Sequence, residues 1–338
     1  MIRIGVNGYG VIGRRIADAI RLQPDMEVTG VVKVKADYKA TLALSKGYDL
    51  YSAEKSGKDS FKEKGLAISG SLTDLVPKVD MMIDASPGDV GAANKSIYEK
   101  FHKPAVFQGG EDHGVAGVSF VAQCNYDKAK GHSSTRVVSC NTTALCRVLG
   151  SIDESMGISR GRVVLARRAA DPDEPSKGPI DAVVLDPVNI PSHHGPDVNT
   201  VLPGIKITTM AMKVPTTHMH LHSVILTLED PDASKETITQ KLEDTTRVLL
   251  VNGKDGLKST AHLVDLGREL GRPRGDLYEA IIWKDSICVD EKEASFFMAV
   301  HQEAIVIPEN IDAIRAMLGS ESKDDSIAMT NNALDIDK

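Results

Sequence analysis

A glycine-rich turn near the N-terminus places the strongest limit on how this chain can fold. Residues 2–6 (IRIGV) predict a β-strand, and the turn GYGVIG follows at residues 8–13. Apolar residues then recur at helical spacing until Pro24, and residues 27–34 predict a second strand. A strand, turn, helix and strand within about 30 residues form a βαβ unit, whose right-handed crossover makes the strands parallel. The N-terminal region is therefore expected to build a parallel sheet covered by helices.

The three glycines of this turn match the pattern GxGxxG. Gly8 permits a tight turn, Gly10 lets the backbone approach a pyrophosphate, and Gly13 lets the helix pack closely on the strand. Phosphates would then lie over the free N–H groups at the positive end of the helix. The motif predicts dinucleotide binding, and the alternative is that the glycines serve only the turn.

The end of the second predicted strand bears on the choice between NAD and NADP. A carboxylate there would accept hydrogen bonds from the ribose hydroxyls of NAD, but residues 31–35 read VVKVK and the first acid is Asp37. Basic side chains at this place suit the 2′-phosphate of NADP. We therefore expect NADP to be used at least as well as NAD, with Lys33 as the contact. The alternative is that Lys33 is a solvated side chain at a strand end.

The rest of the chain falls into two regions with different patterns of predicted secondary structure. Further predicted strands alternate with helical stretches such as 91–101 in the first part, at residues 66–68, 80–85 and 105–108. This alternation is typical of a doubly wound parallel sheet of the Rossmann type. After residue 140 the strands are β-branched and separated by proline-rich loops, with helices predicted at about 234–251 and 259–270. The fold class is therefore α/β: an N-terminal Rossmann sheet plus an α+β domain with a mostly antiparallel sheet.

Composition and charge exclude several classes of protein. The net charge of −7 argues against nonspecific nucleic-acid binding, and no run of about 20 apolar residues could span a membrane. The N-terminus lacks the apolar segment and cleavage site of a signal peptide. The cysteines are sparse and form no CxxC pair, which fits free thiols in a reducing cytoplasm; they are Cys124, Cys140, Cys146 and Cys288.

One of these cysteines lies where a nucleophile could be activated. The segment SCNTT, residues 139–143, follows an apolar run and precedes a helix-compatible one. A helix N-terminus lowers the pKa of a thiol, and its free N–H groups can stabilise an oxyanion after attack on a carbonyl. Cys140 is therefore a candidate nucleophile, whereas the other three cysteines are interpreted as core residues.

Acyl chemistry through a thioester also requires a base, and histidines supply the candidates. His193 and His194 lie in a Pro/Gly-rich loop, and the segment TTHMHLH carries three histidines at alternate positions of a predicted strand: His218, His220 and His222. By period 2 these three would share one face. A metal site is a weaker interpretation because no carboxylate partner is evident, so no metal is predicted, and all three could also be surface residues.

The sequence resembles the archaeal-type phosphorylating glyceraldehyde-3-phosphate dehydrogenases over nearly its whole length. The similar blocks occur in family order: VNGYGVIGRR, QGGEDHGVAGVSFVAQCN, RVVSCNTTALCRVLG, RRAADPDEPSKGPIDAV, PSHHGPDV, VPTTHMHLHSV and HQEAIVIPENIDAIRAM. The resemblance implies a glycolytic or gluconeogenic enzyme that converts D-glyceraldehyde 3-phosphate, inorganic phosphate and NAD(P)⁺ to 1,3-bisphosphoglycerate. The reaction would pass through a cysteine hemithioacetal and a thioester, in a cytoplasmic homotetramer.

The same resemblance implies roles for particular residues. Cys140 is the implied nucleophile and His220 the implied base, with His222 as a fallback, because His218 stands where the family often has an apolar residue. Implied substrate contacts are Ser139, Asn141, Arg167, His193 and His194, and implied cofactor contacts beyond the glycines and Lys33 are Val11, Ile12, Gly110, Arg168 and Gln302. The adjacent pair Arg167-Arg168 could instead form ion pairs with the acids at 171, 173 and 174.

Three segments are expected from these observations. Residues 1–139 form the dinucleotide-binding domain and residues 140–301 the catalytic domain. Residues 302–338 return to the cofactor domain through a helix that opens at Pro308 and stops at Gly319. The last 19 residues are polar and acidic, which predicts disorder or a surface strap.

Two other functions remain open at this point. The thiol and the glycine turn are shared by aspartate-semialdehyde dehydrogenases and N-acetyl-glutamyl-phosphate reductases, which differ in substrate. A protein of another class, an NADP-binding regulator with a decayed site, would bind the cofactor without reducing it in the presence of aldehyde.

Overall fold

The computed structural model describes residues 1–108, 110–170 and 176–336. The chain forms two compact units, Met1–Ser139 with Ile307–Leu334, and Cys140–Val306 with Asp335 and Ile336. The strands in chain order are β1 (Ile2–Asn7), β2 (Met26–Lys33), β3 (Leu50–Ser52), β4 (Gly70–Ser71), β5 (Met81–Asp84), β6 (Ala105–Gln108), β7 (Ser119–Phe120), β8 (Ser134–Val137), β9 (Ile158–Arg168), β10 (Val184–Leu185), β11 (Ile207–Val214), β12 (His220–Leu228), β13 (Val248–Val251), β14 (Ala280–Trp283), β15 (Cys288–Asp290) and β16 (Glu293–Val300).

The α-helices complete the inventory of regular structure in the described residues. They are α1 (Val11–Arg21), α2 (Tyr38–Ser45), α3 (Lys58–Glu63), α4 (Leu72–Leu75), α5 (Val90–Lys100), α6 (His113–Ala116), α7 (Ala122–Asn125), α8 (Cys140–Met156), α9 (His194–Asn199), α10 (Lys235–Glu243), α11 (Thr260–Glu269), α12 (Ile307–Leu318) and α13 (Lys323–Ala333). Within the described part of the chain, none of them is both long enough and apolar enough to cross a bilayer.

The first unit is built on one parallel sheet. Its strand order is β4-β3-β2-β1-β5-β6-β8-β7, and every pair is parallel. The order reverses direction between β1 and β5, which defines the topological switch point where open α/β sheets bind ligands. The fold class predicted for this part is confirmed.

The core of this sheet explains why its strands read as nearly continuous apolar runs. Strands β5 and β6 are buried along their whole length, as expected for a sheet covered on both faces. One core cluster joins Val32, Leu75, Met82, Tyr98 and Phe107, all at most 1% exposed. Each such side chain contributes about 1.5–3 kcal/mol on burial.

The C-terminal helix α12 belongs to this first unit through an ion pair between a buried arginine and a partly buried aspartate. The Arg315 guanidinium is fully buried and donates to both carboxylate oxygens of Asp25, at 2.7 and 2.8 Å, and to Gln23 Oε1 at 2.8 Å. Burial alone would raise the pKa of Asp25, but the hydrogen bonds and charge of Arg315 outweigh it and lower that pKa. Gly319 ends the helix in the left-handed region, at φ +62°.

The second unit is built on a mixed sheet. Its order is β10-β11-β9-β12-β16-β14-β13, with β15 paired to β16. The pairs β9–β11 and β13–β14 are parallel, and the other described pairs are antiparallel. Strand β12 buries every second residue, so one face of the sheet packs on the core and the other remains partly exposed. This agrees with the prediction of a mostly antiparallel sheet.

Three local predictions were wrong. Residues 66–68 are irregular, and the neighbouring edge position is filled by β4 instead. The helix predicted at 234–251 ends at Glu243, because Arg247 adopts φ +59° and residues 248–251 pair with β14. The C-terminal tail is a helix, α13, whose Ser322 cap accepts from the Asp325 N–H.

The tail helix is held by polar contacts that its composition did not suggest. The hydroxyls of Ser326 and Thr330 donate to Asp312 Oδ1 at 2.8 and 2.7 Å, and both residues are fully buried. A polar segment can therefore be ordered when each buried hydroxyl finds an acceptor.

Candidate active site

The glycine turn of the first unit has three glycines with three different surroundings. Gly8 has φ +94°, and a Cβ there would lie 2.6 Å from the Ala85 carbonyl oxygen. A Cβ on Gly13 would lie 1.9 Å from the Gly8 carbonyl oxygen, so this glycine is required by the close approach of turn and helix. A Cβ on Gly10 would meet nothing within 4 Å. Gly10 therefore borders open space at the start of α1, where Val11 and Ile12 form the first turn and no side chain caps the helix.

A buried carboxylate holds the switch point in place. Asp84 ends β5, is 1% exposed, and accepts from Asn7 Nδ2 at 3.1 Å, Asn94 Nδ2 at 2.9 Å and the Tyr98 hydroxyl at 2.5 Å. The backbone N–H of Ser86 donates to the other oxygen of Asp84, Oδ1, at 3.0 Å. The Ser86 hydroxyl donates to the same oxygen. These bonds fix residues 84–86 against Gly8. Its position at the end of a predicted strand was the only indication of this carboxylate in the sequence.

Lys33 lies at the end of β2, as predicted, and forms an ion pair. Its Nζ is 2.9 Å from Asp37 Oδ2, and the other carboxylate oxygen of Asp37 caps α2. Burial favours protonation of Asp37, but Lys33 and the cap N–H groups outweigh it and lower the pKa of that carboxyl. Asp37, the first acid after the strand, is thus the ion-pair partner of Lys33, and the lysine remains the charged residue at the strand end.

The remaining predicted cofactor residues are divided between the two units. Gly110 follows β6 in the first unit, with φ +130°. Arg168 and Gln302 belong to the second unit. Gln302 Oε1 is buried and has no hydrogen-bond partner among the described residues, so it is an acceptor available to a ligand.

In the second unit, Cys140 is the first residue of α8, directly after Ser139. Its thiol is partly buried. Burial raises the pKa of Cys140 to about 11, although the charges of Arg167 and Arg168 and the Asn141 N–H act in the opposite direction. The predicted start of a helix at this cysteine is confirmed, and the thiol lies close to two cations.

Those two arginines have different partners. Arg167 Nη1 pairs with Asp186, which also lies 3.6 Å from Lys213 Nζ. Arg168 Nη1 lies 2.5 Å from Glu303 Oε1, and both side chains are less than 10% exposed. Asp171, Asp173 and Glu174, the ion-pair partners considered from the sequence, lie outside the described residues.

Glu303 was not identified from the sequence, and it organises the end of β9. Besides Arg168 it accepts from Gln302 Nε2 at 3.1 Å, and His301 Nε2 lies 3.3 Å from its second oxygen. Its charge also acts on the thiol of Cys140 and raises its pKa. Its only sequence signal was the acid within the block HQEAIVIPEN.

The prediction that His218, His220 and His222 share one strand face was wrong for the first of them. Strand β12 begins at His220, because Met219 has φ +62° and interrupts the extended backbone. His218 is exposed, whereas His220 and His222 are buried on the same face. No group of three or more metal-binding side chains occurs in the portion of the chain that is described.

His220 has a fixed orientation. The backbone N–H of Arg168 donates to His220 Nδ1 at 3.0 Å, so the neutral ring carries its proton on Nε2. Burial lowers the pKa of His220 well below its usual value, and the charges of Arg167, His222 and Arg168 act in the same direction. The ring is therefore neutral and presents an N–H donor.

Asn141 connects the other two buried histidines. Its amide nitrogen lies 3.2 Å from His194 Nε2, and its amide oxygen lies 2.8 Å from His222 Nε2. His194 Nδ1 lies 3.0 Å from Ser192 Oγ. His193 is exposed and its ring lies over that of His194, with centroids 3.9 Å apart. The second unit thus brings together Cys140, both arginines and the four buried or stacked histidines.

The parallel sheet with its glycine turn, and a thiol among cations and neutral histidines, place this chain among the NAD(P)-dependent oxidoreductases. Residues 139–269 match the model of the glyceraldehyde 3-phosphate dehydrogenase C-terminal domain. The chain belongs to the glyceraldehyde-3-phosphate dehydrogenase family, as the following relatives show.

The relatives cover almost the whole chain. A glyceraldehyde-3-phosphate dehydrogenase of Methanoregula boonei is 50% identical over 335 residues, 99% of this chain and 97% of the relative. Glyceraldehyde-3-phosphate dehydrogenase 2 of Methanosarcina barkeri is 50% identical over 98% of this chain and 97% of its own length. A glyceraldehyde-3-phosphate dehydrogenase of Haloarcula marismortui is 49% identical over 99% and 94%. The archaeal-type resemblance noted from the sequence is confirmed.

Proposed function

We propose that this chain oxidises D-glyceraldehyde 3-phosphate with inorganic phosphate and NAD(P)⁺ to 1,3-bisphosphoglycerate, with Cys140 as the nucleophile. The observation that carries this assignment is the thiol at the start of α8, which receives the Asn141 N–H and lies close to Arg167 and Arg168. These groups stabilise the thiolate against the cost of burial.

The chemistry follows from the atoms at this site. The Cys140 thiol releases its proton to solvent water, and the thiolate attacks the aldehyde carbon, so that a C–S bond forms and the carbonyl electrons move to oxygen. The Nε2–H of His220 donates to that oxyanion. This role differs from that of the base which the resemblance implies for His220, because in the tautomer fixed by the Arg168 N–H neither ring nitrogen has a free lone pair. NAD(P)⁺, when bound, accepts the hydride from this carbon. The oxygen then re-forms its double bond and leaves a thioester on Cys140.

Phosphorolysis completes the reaction. An oxygen of inorganic phosphate attacks the thioester, the C–S bond breaks, and 1,3-bisphosphoglycerate leaves while the phosphate proton returns to the thiolate. Arg167 supports this proposal because its Nε is buried without a partner among the described residues, leaving a donor for a phosphate oxygen. We assign Ser139, Asn141, His193 and His194 to the surroundings of the substrate, in agreement with the resemblance.

The residues present fit a dinucleotide. Gly10 leaves open space beside the uncapped N-terminus of α1, where a pyrophosphate is favoured. We assign Val11, Ile12, Gly110, Arg168 and Gln302 to the cofactor as well, and the free Gln302 Oε1 supports its part in this set. Residues 1–139 with the C-terminal helix are proposed as the cofactor domain and residues 140–301 as the catalytic domain.

A steady-state assay tests the function. We expect NADPH to form from D-glyceraldehyde 3-phosphate only when inorganic phosphate is present. Aspartate semialdehyde should give a kcat/KM at least about 100-fold lower, because its carboxylate does not match a site built for phosphate. Equal turnover of the two aldehydes would support the semialdehyde dehydrogenase alternative, and cofactor binding without reduction would support the regulator alternative.

The same assay with both cofactors tests Lys33. We expect NADP to be used at least as well as NAD, and Lys33→Ala to raise the KM for NADP about tenfold while leaving the KM for NAD nearly unchanged. Lys35→Ala is the matched control, because Lys35 is exposed two residues further on. An equal change for both cofactors would contradict the assignment.

We also propose a homotetramer in the cytoplasm. A row of side chains across the partly exposed face of the second sheet, Met210, Val164, Ser223 and Phe297, is joined by strand register, and Met210 and Phe297 are exposed. Residues 180–190 add exposed apolar side chains: Ile180, Val183, Val184, Leu185, Val188 and Ile190. An exposed apolar surface of this kind is typical of a protein interface. Sedimentation equilibrium should give four times the chain mass of 36.3 kDa, and a monomer mass would refute the proposal.

A further inference from the structure

We infer that His222 is a specificity-determining residue whose Nδ1 accepts a hydrogen bond from the C2 hydroxyl of the aldehyde substrate. This inference rests on the proposed function and assigns one substrate group to one atom. It follows from a chain of hydrogen bonds in the second unit, whose direction is set by two backbone groups.

The series of hydrogen bonds begins at Thr209, where the donor and the acceptor of each bond can be determined. The backbone N–H of Gly195 donates to Thr209 Oγ1 at 2.9 Å, and Thr209 Oγ1 lies 3.0 Å from the Ser192 carbonyl oxygen. A carbonyl oxygen can only accept, so the single hydroxyl proton of Thr209 points to it. Thr209 must then accept from the Ser192 hydroxyl, 2.8 Å away.

The Ser192 hydroxyl in turn determines the tautomer of His194, the first histidine of the series. Because the only proton of Ser192 Oγ is given to Thr209, Ser192 must accept from His194 Nδ1 at 3.0 Å. A neutral imidazole carries one proton, so His194 Nε2 is an acceptor. Burial, with the charges of His193 and Arg167, lowers the pKa of His194 to about 2, so the ring is neutral at physiological pH.

The orientation of the Asn141 amide determines the tautomer of His222, the second histidine of the series. His194 Nε2 accepts from the Asn141 amide nitrogen at 3.2 Å, which orients the amide oxygen toward His222. His222 Nε2 then donates to that oxygen at 2.8 Å. Burial and the charge of Arg167 lower the pKa of His222 to about 3, so this ring is also neutral and its proton resides on Nε2. His222 Nδ1 is therefore a lone-pair acceptor.

That acceptor has no partner. His222 is fully buried, and its Nδ1 makes no hydrogen bond to any of the residues described. An unmatched buried acceptor costs about 1–3 kcal/mol, so a group held in this state is expected to serve a ligand. Asn141, which follows Cys140, binds the other nitrogen of the same ring, and the charge of Arg167 acts on it. The ring is therefore joined through Asn141 to the residue that follows the thiol in the chain.

The chemistry of the substrate selects the donor. D-Glyceraldehyde 3-phosphate as a dianion carries one hydroxyl, at C2, and its aldehyde and phosphate oxygens only accept. His220 presents an N–H and His222 a lone pair, so the two rings offer opposite polarity to the carbonyl oxygen and to the neighbouring hydroxyl. A site that pairs with a hydroxyl rejects the analogue that lacks it.

The test compares D-glyceraldehyde 3-phosphate with 3-oxopropyl phosphate, the same aldehyde without the C2 hydroxyl. We expect wild type to prefer the hydroxylated substrate by at least about 100-fold in kcat/KM. His222→Gln keeps a donor near the Nε2 position for Asn141 and removes the Nδ1 acceptor, so the preference should fall to within about threefold. His218→Gln is the matched control, because the same change is made at an exposed histidine and should leave the preference intact.

A second variant keeps the inference falsifiable if His222→Gln does not fold. Thr209→Val keeps the side-chain volume and removes the hydroxyl that sets the direction of the chain, so it should weaken the preference about tenfold with little change in kcat for 3-oxopropyl phosphate. An undiminished preference in both variants would overturn the inference, as would a loss confined to the KM for inorganic phosphate. If wild type oxidises both aldehydes equally, only this inference fails; if it oxidises neither, the proposed function fails as well.

Discussion

Replacing Cys140 by serine should lower kcat at least about 1,000-fold while the affinity for NADP stays within about twofold of wild type. A serine hydroxyl remains protonated under conditions in which the thiol can ionise, and the burial that raises the pKa of Cys140 to about 11 disfavours an alkoxide even more strongly. Steady-state kinetics and a cofactor titration measure the two quantities separately.

Alkylation provides an independent measurement on the same thiol. Because the pKa of Cys140 is about 11, the thiolate fraction grows about tenfold per pH unit below that value, and iodoacetamide should inactivate the enzyme faster as the pH rises. Cys288→Ser is the matched control, since Cys288 is exposed and should make no contribution. Retention of more than about a tenth of wild-type activity in Cys140→Ser would rule out the covalent mechanism.

Two alanine substitutions in the glycine turn should have opposite effects. Gly13→Ala would place a methyl group 1.9 Å from the Gly8 carbonyl oxygen and should reduce the free energy of unfolding by at least about 3 kcal/mol. Gly10→Ala meets nothing within 4 Å, so the free energy of unfolding should change by less than about 1 kcal/mol.

Cofactor affinity then separates the two roles. The methyl group of Gly10→Ala would fill the open space beside α1, so we expect the Kd for NADP to rise at least about 30-fold in a protein of normal stability. Denaturant unfolding and fluorescence titration of the same preparations measure both properties. Normal NADP affinity in Gly10→Ala would show that the pyrophosphate does not approach this residue.

The sequence predicted those features that depend on neighbours along the chain. The βαβ unit and the start of α8 at Cys140 follow from local periodicity or from a local motif, and so does the shared strand face of His220 and His222. Periodicity failed at His218, because one positive φ at Met219 changes which side chains share a face. A single backbone dihedral of this kind has no reliable signature in composition.

Features that depend on distant parts of the chain could not be predicted. Glu303 lies 135 residues from Arg168, and the series of hydrogen bonds from Thr209 to His222 joins four separate segments of the chain. The resemblance implied that Asn141 and His194 contact the substrate, but only the folded arrangement shows that they bind each other. The acidic tail was misjudged for the same reason, because the acceptor of its hydroxyls is Asp312 in another helix.

The carboxylate of Asp84 has a consequence for the motions of the cofactor turn. Ligand-binding loops usually open locally at little cost in free energy. Here the segment that supports Gly8 is tied through one buried side chain, that of Asp84, to β1 and α5, by Asn7, Asn94 and Tyr98. Opening of this turn therefore requires the simultaneous loss of bonds to two elements of the sheet domain. We therefore expect the glycine turn to be preorganised, and slow amide hydrogen exchange at residues 8–10 would show this.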